Sequence, residues 1–148
     1  MISKQALKAL VFIREKDARA LFEKRRYSAA IYMAGYAIEI GLKYEICKMY
    51  FFSKGFPESK IEFKSYFPQR GKKYLLKTIE SIGEIRHHDL QLLLSYSGLE
   101  FKIKSMFLSE WNLISDWKPE MRYRITPVRK SEAGIKLSAV SAIIKGIL

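Results

Sequence analysis

The chain has 148 residues, of which 49% are hydrophobic and 14% aromatic, with only 8 glycines and 4 prolines. This composition supplies enough apolar side chains for a core and excludes collagen-like, low-complexity and intrinsically disordered chains. The 27 lysines and arginines outnumber the 15 acidic residues, so the formal net charge is +12. We predict a single domain over residues 1–148 whose positive field favours an anionic partner.

The cysteine content and the N-terminal segment bear on the compartment. Cys47 is the sole cysteine, which excludes an intrachain disulfide and a cysteine-rich zinc site. We expect Cys47 to be a small buried residue of an apolar helix. Residues 1–16 contain Lys4 and Lys8 and lack an uninterrupted apolar region followed by small residues, so secretion is not indicated. We expect a cytoplasmic protein without a membrane partner.

Two helices are predicted in the first third of the chain. Apolar residues with i, i+3, i+4 spacing predict a first helix that ends near the basic cluster of Lys24, Arg25 and Arg26. Cations at this point oppose the negative end of the helix dipole, which gives the cluster a structural explanation beside any role in binding. Ser28 is a candidate N-cap for a second helix that runs to about Phe52. The short junction predicts an antiparallel hairpin.

Two apolar rows on the second helix are predicted to be buried. The first row consists of small residues, which let a neighbouring helix approach closely: Ala30, Ala34, Ala37 and Gly41. The second row consists of larger side chains: Ile31, Ile38, Leu42, Ile46 and Met49.

A third row on the same helix is polar and contains Tyr32, Tyr36, Glu39 and Lys43. Glutamate before lysine at i, i+4 is the favourable order for an ion pair on a helix surface. Tyrosines at helical spacing are mostly core residues with a solvated hydroxyl. The row therefore has a structural interpretation. If the helix lines a cleft, Tyr36, Glu39 and Lys43 become candidate nucleotide-binding residues instead.

The middle of the chain is less periodic. Residues 53–73 combine glycines, prolines and lysines, which predicts a long basic connection. Its cations form either a solvated surface or a nonspecific phosphate track: Arg70, Lys72 and Lys73. The apolar residues of 75–82 predict a helix, and Asp89 precedes a further short helix that Gly98 ends.

The last third of the chain predicts two more helices. One apolar face extends over residues 103–117, with Met106 among its core residues, and Pro119 closes that helix. A second basic connection covers residues 118–130, and Ser131 is the expected cap of a final helix. No segment alternates with period two, so we predict an all-α protein.

Several of these segments together resemble the HEPN domain, a helical bundle found beside or fused to minimal nucleotidyltransferases in prokaryotes. The resemblance is carried by DARALFEKRRYSAAIYMAGYAIEIGLKYEI (Asp17–Ile46), HDLQLLLSYSGL (His88–Leu99) and WKPEMRYR (Trp117–Arg124). It extends over most of the chain. It implies an antiparallel up-and-down bundle of four to five helices, commonly a homodimer. It also implies RNA or nucleotide binding in toxin–antitoxin, antiviral or mobile-element systems.

The chain departs from the catalytic pattern of that family. Many toxic HEPN proteins are metal-independent ribonucleases with an arginine followed, after a short spacing, by a histidine. The only histidines here are His87 and His88, and residues 80–83 (ESIG), where the matching arginine would lie, contain none. The catalytic assignment of the family therefore does not transfer to any residue of this chain.

His88 is nevertheless the candidate acid or base for phosphodiester cleavage, because an imidazole titrates near neutral pH. Arg86 or Arg122 would stabilise the charge that develops on the phosphate. The structural alternative is that His88 packs or caps at a helix start while Asp89 accepts backbone N–H bonds. No catalytic residue is assigned on this basis. We predict no metal site, since Cys47 is the only further soft ligand, and no cofactor.

Arg122, Tyr123 and Arg124 are the main candidate residues for binding RNA or a nucleotide. Guanidinium groups bind phosphates in bidentate fashion, and a tyrosine ring stacks on a base, as in single-stranded RNA sites. The alternative is a solvated loop with Tyr123 against the bundle. Our first hypothesis is a non-catalytic HEPN-type binding module. The alternatives are an atypical endoribonuclease and an interaction partner of a minimal nucleotidyltransferase.

Overall fold

A computed structural model describes residues 1–68, 71, 73–79, 82–123 and 127–148, without the side chains of residues 75 and 82. The helices are α1 (Lys4–Glu23), α2 (Tyr27–Met49), α3 (Lys60–Lys64), α4 (Lys73–Lys77), α5 (Ile82–Arg86), α6 (Leu90–Ser97), α7 (Glu100–Met106), α8 (Leu108–Ile114), a 3-10 helix (Pro119–Tyr123) and α9 (Lys130–Ile147). In this part of the chain the only β-type pairing is an isolated bridge between Ile2 and Phe56. The predicted all-α helical bundle is confirmed. No described helix is long and apolar enough to cross a membrane.

Helices α1 and α2 pack along each other as a hairpin. The side-chain oxygen of Ser3 accepts the N–H of Ala6 at 3.1 Å and so caps the start of α1. The buried side chains of α1 are Leu7, Val11 and Ala18. They follow the spacing of a single helical face, which is why the apolar pattern was readable in the sequence.

The ends of α2 differ from the prediction. Ser28 is not the N-cap, because the N–H of Ala30 already bonds the carbonyl of Arg26 at 2.9 Å and the helix begins at Tyr27. The helix ends at Met49 rather than near Phe52. The cause is Phe51, whose left-handed φ of 56° is incompatible with a continued right-handed helix.

The apolar rows place α2 at the centre of the bundle, in contact with α1, α6, α9 and the 3-10 helix. The row of small residues is buried, as predicted. At Gly41, a Cβ would lie 3.4 Å from Ile147 and 3.7 Å from Val11, so α1 and α9 both approach this turn closely. Met49 is 47% exposed, so its predicted core position is wrong. Its side chain lies against Gly98 at the end of α6, where a Cβ would be 3.2 Å from the Met49 sulfur.

The connection between α2 and α6 is not the irregular basic loop predicted for residues 53–73. The short helix α3 lies within it, and Phe52 stacks on Tyr66 with ring centroids 4.5 Å apart. Both rings are buried, and the Tyr66 hydroxyl donates to the carbonyl of Gly55 at 2.6 Å. This packing depends on chain reversals rather than on a period, so the sequence pattern did not reveal it. Lys73 is exposed, whereas Arg70 and Lys72 lie outside the described residues.

Helix α6 has both predicted ends. The Asp89 carboxylate accepts the N–H groups of Gln91 and Leu92, and Gly98 ends the helix with a φ of 75°. The helix predicted upstream over residues 75–82 is instead represented by α4 and α5 as separate short helices.

The helix predicted over residues 103–117 is divided into α7 and α8 at Phe107, whose φ and ψ of −136° and 32° are not helical. Met106 lies at the edge of the face that buries Ile103, Trp111 and Ile114, and it is 65% exposed, so its predicted core position is wrong; Trp111 is 2% exposed and fills the core. The expected cap of the final helix is also wrong. Arg129 is the N-cap residue, and Ser131 lies in the first turn of α9.

Candidate nucleic-acid interface

The tyrosines of the polar row of α2 form a hydrogen-bonded pair. The Tyr32 hydroxyl donates to the Tyr36 hydroxyl at 3.2 Å, and the two rings meet edge to face with centroids 5.0 Å apart. Burial, and then the hydrogen bond with Tyr32, raise the pKa of Tyr36 to about 12. Tyr36 is therefore neutral near physiological pH and presents a hydroxyl group rather than a charge.

Trp117 anchors the segment that follows α8 onto this part of α2. Its Nε1 donates to the carbonyl of Tyr32 at 3.2 Å, and its ring centroid lies 4.9 Å from that of Tyr36. Gly35 makes this approach possible, since a Cβ at that position would lie 2.2 Å from the indole. The 3-10 helix that begins at Pro119 is thereby held against α2.

Arg122 and Tyr123 lie at the end of that 3-10 helix. Arg122 Nη1 donates to the Tyr32 hydroxyl at 3.4 Å, and the guanidinium carbon lies 4.8 Å from the centroid of the Tyr123 ring. Tyr123 is 73% exposed, so its ring is not tucked against the bundle. Arg124 lies outside the described residues. The structure thus brings Arg122 to the Tyr32 end of the polar row.

Glu39 and Lys43 do not form the surface ion pair that the sequence predicted. Lys43 Nζ lies 2.5 Å from Glu39 Oε1, but the two side chains are only 13% and 3% exposed. The residues before α6 bring His88 onto the same carboxylate, with Nδ1 2.9 Å from Glu39 Oε2. Lys43 Nζ also lies 5.4 Å from the ring centroid of Phe56. Glu39 and Lys43 are therefore engaged within the fold, and the half-exposed imidazole is the outward-facing group of this cluster.

The two ends of the polar row share one face of α2. Tyr32 and Glu39 are seven residues apart, so Arg122 and His88 contact the same face about 10 Å apart along the helix axis. Arg86 is exposed at the end of α5, and no described carboxylate forms an ion pair with it.

A cleft at the turn between α1 and α2 adds a group of arginines that the sequence did not connect. It has a volume of about 440 Å³ and is lined by Arg25, Arg26 and Arg122. None of the three is paired with a carboxylate among the described residues. The first turn of α2, from Tyr27, also borders the cleft and has neither an acidic residue nor a side-chain cap. The signal in the sequence is the KRR run of residues 24–26, for which the helix dipole and a role in binding were both open explanations.

Metal-binding side chains are not grouped in the described part of the chain, where no three His, Cys, Asp or Glu residues are placed to hold an ion. Cys47 is fully buried, as predicted, and burial raises the pKa of its thiol to about 12. The thiol is therefore a core group rather than a nucleophile.

Comparison of the chain with models of protein families, with curated proteins and with solved structures finds no match. The features of the structure that bear on function are the exposed Arg122 and Tyr123, the arginine-lined cleft and the Glu39–His88 contact.

Proposed function

We propose that this protein is a HEPN-type helical module that binds RNA or a nucleotide, with Arg122 and Tyr123 making the first contacts. One observation carries the proposal. Arg122 is held by Tyr32 and lies over the ring of Tyr123, while both the guanidinium group and the ring stay exposed. A fixed guanidinium group offers donors to phosphate oxygens, and a neighbouring ring offers a face to a base.

The charge distribution supports an anionic ligand at this face. The net charge is +12, and Arg25 and Arg26 join Arg122 without carboxylate partners among the described residues. In this proposal Tyr36, Glu39 and Lys43 support the surface from within α2 rather than contact the ligand, since Glu39 and Lys43 bind each other in a nearly buried position.

The HEPN resemblance supports the same class, because the segments that carry it contribute α2 and Arg122 to this face. The family would also imply a homodimer and a place in toxin–antitoxin, antiviral or mobile-element systems, and the N-terminal segment predicts a cytoplasmic location. The dimer, the cytoplasmic location and the biological systems are parts of this proposal, together with the binding of RNA or a nucleotide.

Binding of a fluorescently labelled single-stranded RNA, followed by anisotropy at low salt, tests the proposal. Arg122→Gln removes a charged phosphate donor and Tyr123→Ala removes a stacking surface, so each should weaken binding by about ten-fold. Lys102→Gln, at an exposed position on α7, is the matched control and should bind like the wild type. No binding by the wild type, or equal weakening by all three substitutions, contradicts the proposal.

A metal-independent endoribonuclease is the second candidate, and the contact between Glu39 and His88 favours it. A buried carboxylate that binds Nδ1 orients the imidazole and leaves Nε2 available for proton transfer. In such a reaction His88 would take the proton of a ribose 2′-hydroxyl as that oxygen attacks the adjacent phosphorus. The bond from phosphorus to the 5′-oxygen would break, and the 5′-oxygen would leave with a proton taken from water, which gives a 2′,3′-cyclic phosphate and a 5′-hydroxyl end. Arg86 or Arg122 would stabilise the charge on the phosphate.

Incubation of labelled RNA with the protein in the presence of EDTA tests this candidate. Loss of a general acid or base reduces rates by about 100-fold or more, so His88→Ala should abolish cleavage. The neighbouring His87→Ala is the control, because the His87 ring only accepts the N–H of Asp89 at 3.1 Å. Equal cleavage by wild type and both variants points to a contaminating nuclease and removes the candidate, as does the absence of cleavage by the wild type.

A further inference from the structure

Two open cavities adjoin each other where the 3-10 helix meets the turn between α1 and α2. The first is the cleft of about 440 Å³ lined by the arginines. The second has a volume of about 260 Å³ and lies deeper along α2 and α9. The two cavities share four lining residues: Ser28, Met121, Pro127 and Val128. A ligand that fills one can therefore extend directly into the other.

The two cavities have opposite electrostatic character. Arg25, Arg26 and Arg122 line the first, and none of its described lining residues is acidic. Asp116 and Glu132 line the second, where they repel a phosphate group. Among the described residues that line the second cavity, Lys136 is the one cation, and it is engaged by Glu132 with Nζ 3.7 Å from Oε1. A ligand with one anionic end and one neutral end fits in a single direction.

The walls of the second cavity suit the neutral end of such a ligand. Ile31, Met121 and Val128 contribute half-buried apolar surface that a flat ring covers well. The carboxylates of Asp116 and Glu132 can only accept hydrogen bonds when ionised, so they select groups that donate. Ribose hydroxyls and the amino groups of bases are donors of that kind.

We propose that the two cavities form one binding site for a nucleoside phosphate. The phosphate lies between Arg25, Arg26 and Arg122, and the nucleoside lies against Met121 with its donors towards Asp116 and Glu132. This inference rests on the proposed binding function and adds the ligand class to it. A free nucleotide and the phosphorylated end of an RNA chain carry the same chemistry, and both satisfy the site.

Isothermal titration calorimetry tests the site. The ligands are nucleoside monophosphates, the matching nucleosides and inorganic phosphate. The monophosphates should bind more tightly than either the nucleoside or the phosphate alone. Arg25→Gln/Arg26→Gln should weaken monophosphate binding by about ten-fold or more, because charged hydrogen bonds to the phosphate are lost. Asp116→Asn should weaken binding of the monophosphate but leave binding of inorganic phosphate unchanged. Equal binding of phosphate and monophosphate, or none of either, overturns the inference.

A charge-matched variant controls for nonspecific attraction. Lys8→Gln/Lys102→Gln also removes two positive charges, from exposed positions on α1 and α7, and should bind like the wild type. Arg25 and Arg26 are themselves exposed, so thermal melting of both double variants should match the wild type. If the control loses as much affinity as Arg25→Gln/Arg26→Gln, the attraction is general and the site is not there.

Single-stranded RNA separates failure of this inference from failure of the proposed function. RNA with a terminal phosphate should bind more tightly than the same RNA with a terminal hydroxyl, and a nucleoside monophosphate should compete with it. A third outcome would be that RNA binding depends on Arg122 and Tyr123, that a nucleoside monophosphate does not compete with the RNA, and that Arg25→Gln/Arg26→Gln leaves the RNA affinity unchanged. That outcome overturns the inference but not the proposed function. If neither RNA nor any nucleotide binds, both the inference and the proposed function are contradicted.

Discussion

Trp117 occupies the space that Gly35 leaves open on α2. A Cβ on Gly35 would lie 2.2 Å from the indole Nε1, which donates to the carbonyl of Tyr32. Trp117 is 2% exposed and precedes the 3-10 helix by two residues. The contact therefore sets how closely the segment with Arg122 approaches the central helix.

Gly35→Ala should destabilise the protein by at least about 2 kcal/mol, because the rigid indole must move and overpacking outweighs the better helix propensity of alanine. Urea unfolding measures the difference. Gly134→Ala is the control, since a Cβ there would meet only Phe22 at an ordinary 3.7 Å. It should be neutral or stabilise by up to about 1 kcal/mol. Similar effects of the two substitutions would refute the packing described for Trp117.

Lys43→Met should destabilise the fold by about 3 kcal/mol, because it deprives the buried carboxylate of Glu39 of its main partner. Lys104→Met breaks an ion pair of the same i, i+4 order and the same 2.5 Å length with Glu100, but both partners are 41% exposed. This control should cost less than about 1 kcal/mol. Chemical denaturation of the two variants at pH 7 compares them, and equal losses would mean that burial of the first pair is unimportant.

Ser141→Ala should reduce stability by about 1 kcal/mol at neutral pH and by less in acid. Partial burial opposes ionisation of Glu15, but the hydrogen bonds from Ser141 and Arg19 outweigh it and lower the pKa of Glu15. A carboxyl group whose pKa is lowered in the folded state stabilises the fold, and this contribution is fully present when the pH is above the ordinary carboxyl pKa of 4.5. That contribution is lost as the pH falls through the lowered folded-state pKa. Unfolding of wild type and variant from pH 7 to pH 3 should give converging stabilities, and a constant difference would exclude the link to Glu15.

Cys47 should resist a thiol reagent at pH 8 in the folded protein, because it is fully buried and the pKa of its thiol is raised to about 12. The same reagent should label the unfolded chain rapidly in concentrated urea. Labelling followed by absorbance measures both rates. Rapid, stoichiometric labelling without denaturant would place Cys47 at the surface and contradict the packing of α2.

The local pattern of the sequence predicted most of the buried faces of α1 and α2 but misplaced Met49 and Met106. The small residues of α2 and the two ends of α6 were readable because spacing, Asp89 and Gly98 act within a few residues along the chain. The break at Phe107 was not readable, since no glycine or proline marks it. Helical periodicity gives the side of a helix that is covered but not the distant segment that covers it.

In the candidate site, too, local sequence patterns did not show which distant segments come into contact. Glu39 and Lys43 have the spacing of a surface pair, whereas in the fold the Glu39 carboxylate is buried and also contacts His88, 49 residues away along the chain. Arg25 and Arg26 had a local explanation in the helix dipole beside any role in binding. Their connection with Arg122 depends on the path of the chain after α8, which residue patterns do not encode locally.

The salt dependence of RNA affinity tests the central claim most directly, because contacts between arginine and phosphate release counterions. The logarithm of the association constant of the wild type should fall linearly with the logarithm of the salt concentration. Arg122→Gln should bind more weakly and show a slope shallower by about 0.7 to 1, as expected for one lost phosphate contact. RNA affinity that does not change with salt, or an unchanged slope for Arg122→Gln, would contradict the assignment of Arg122 as a phosphate-binding residue.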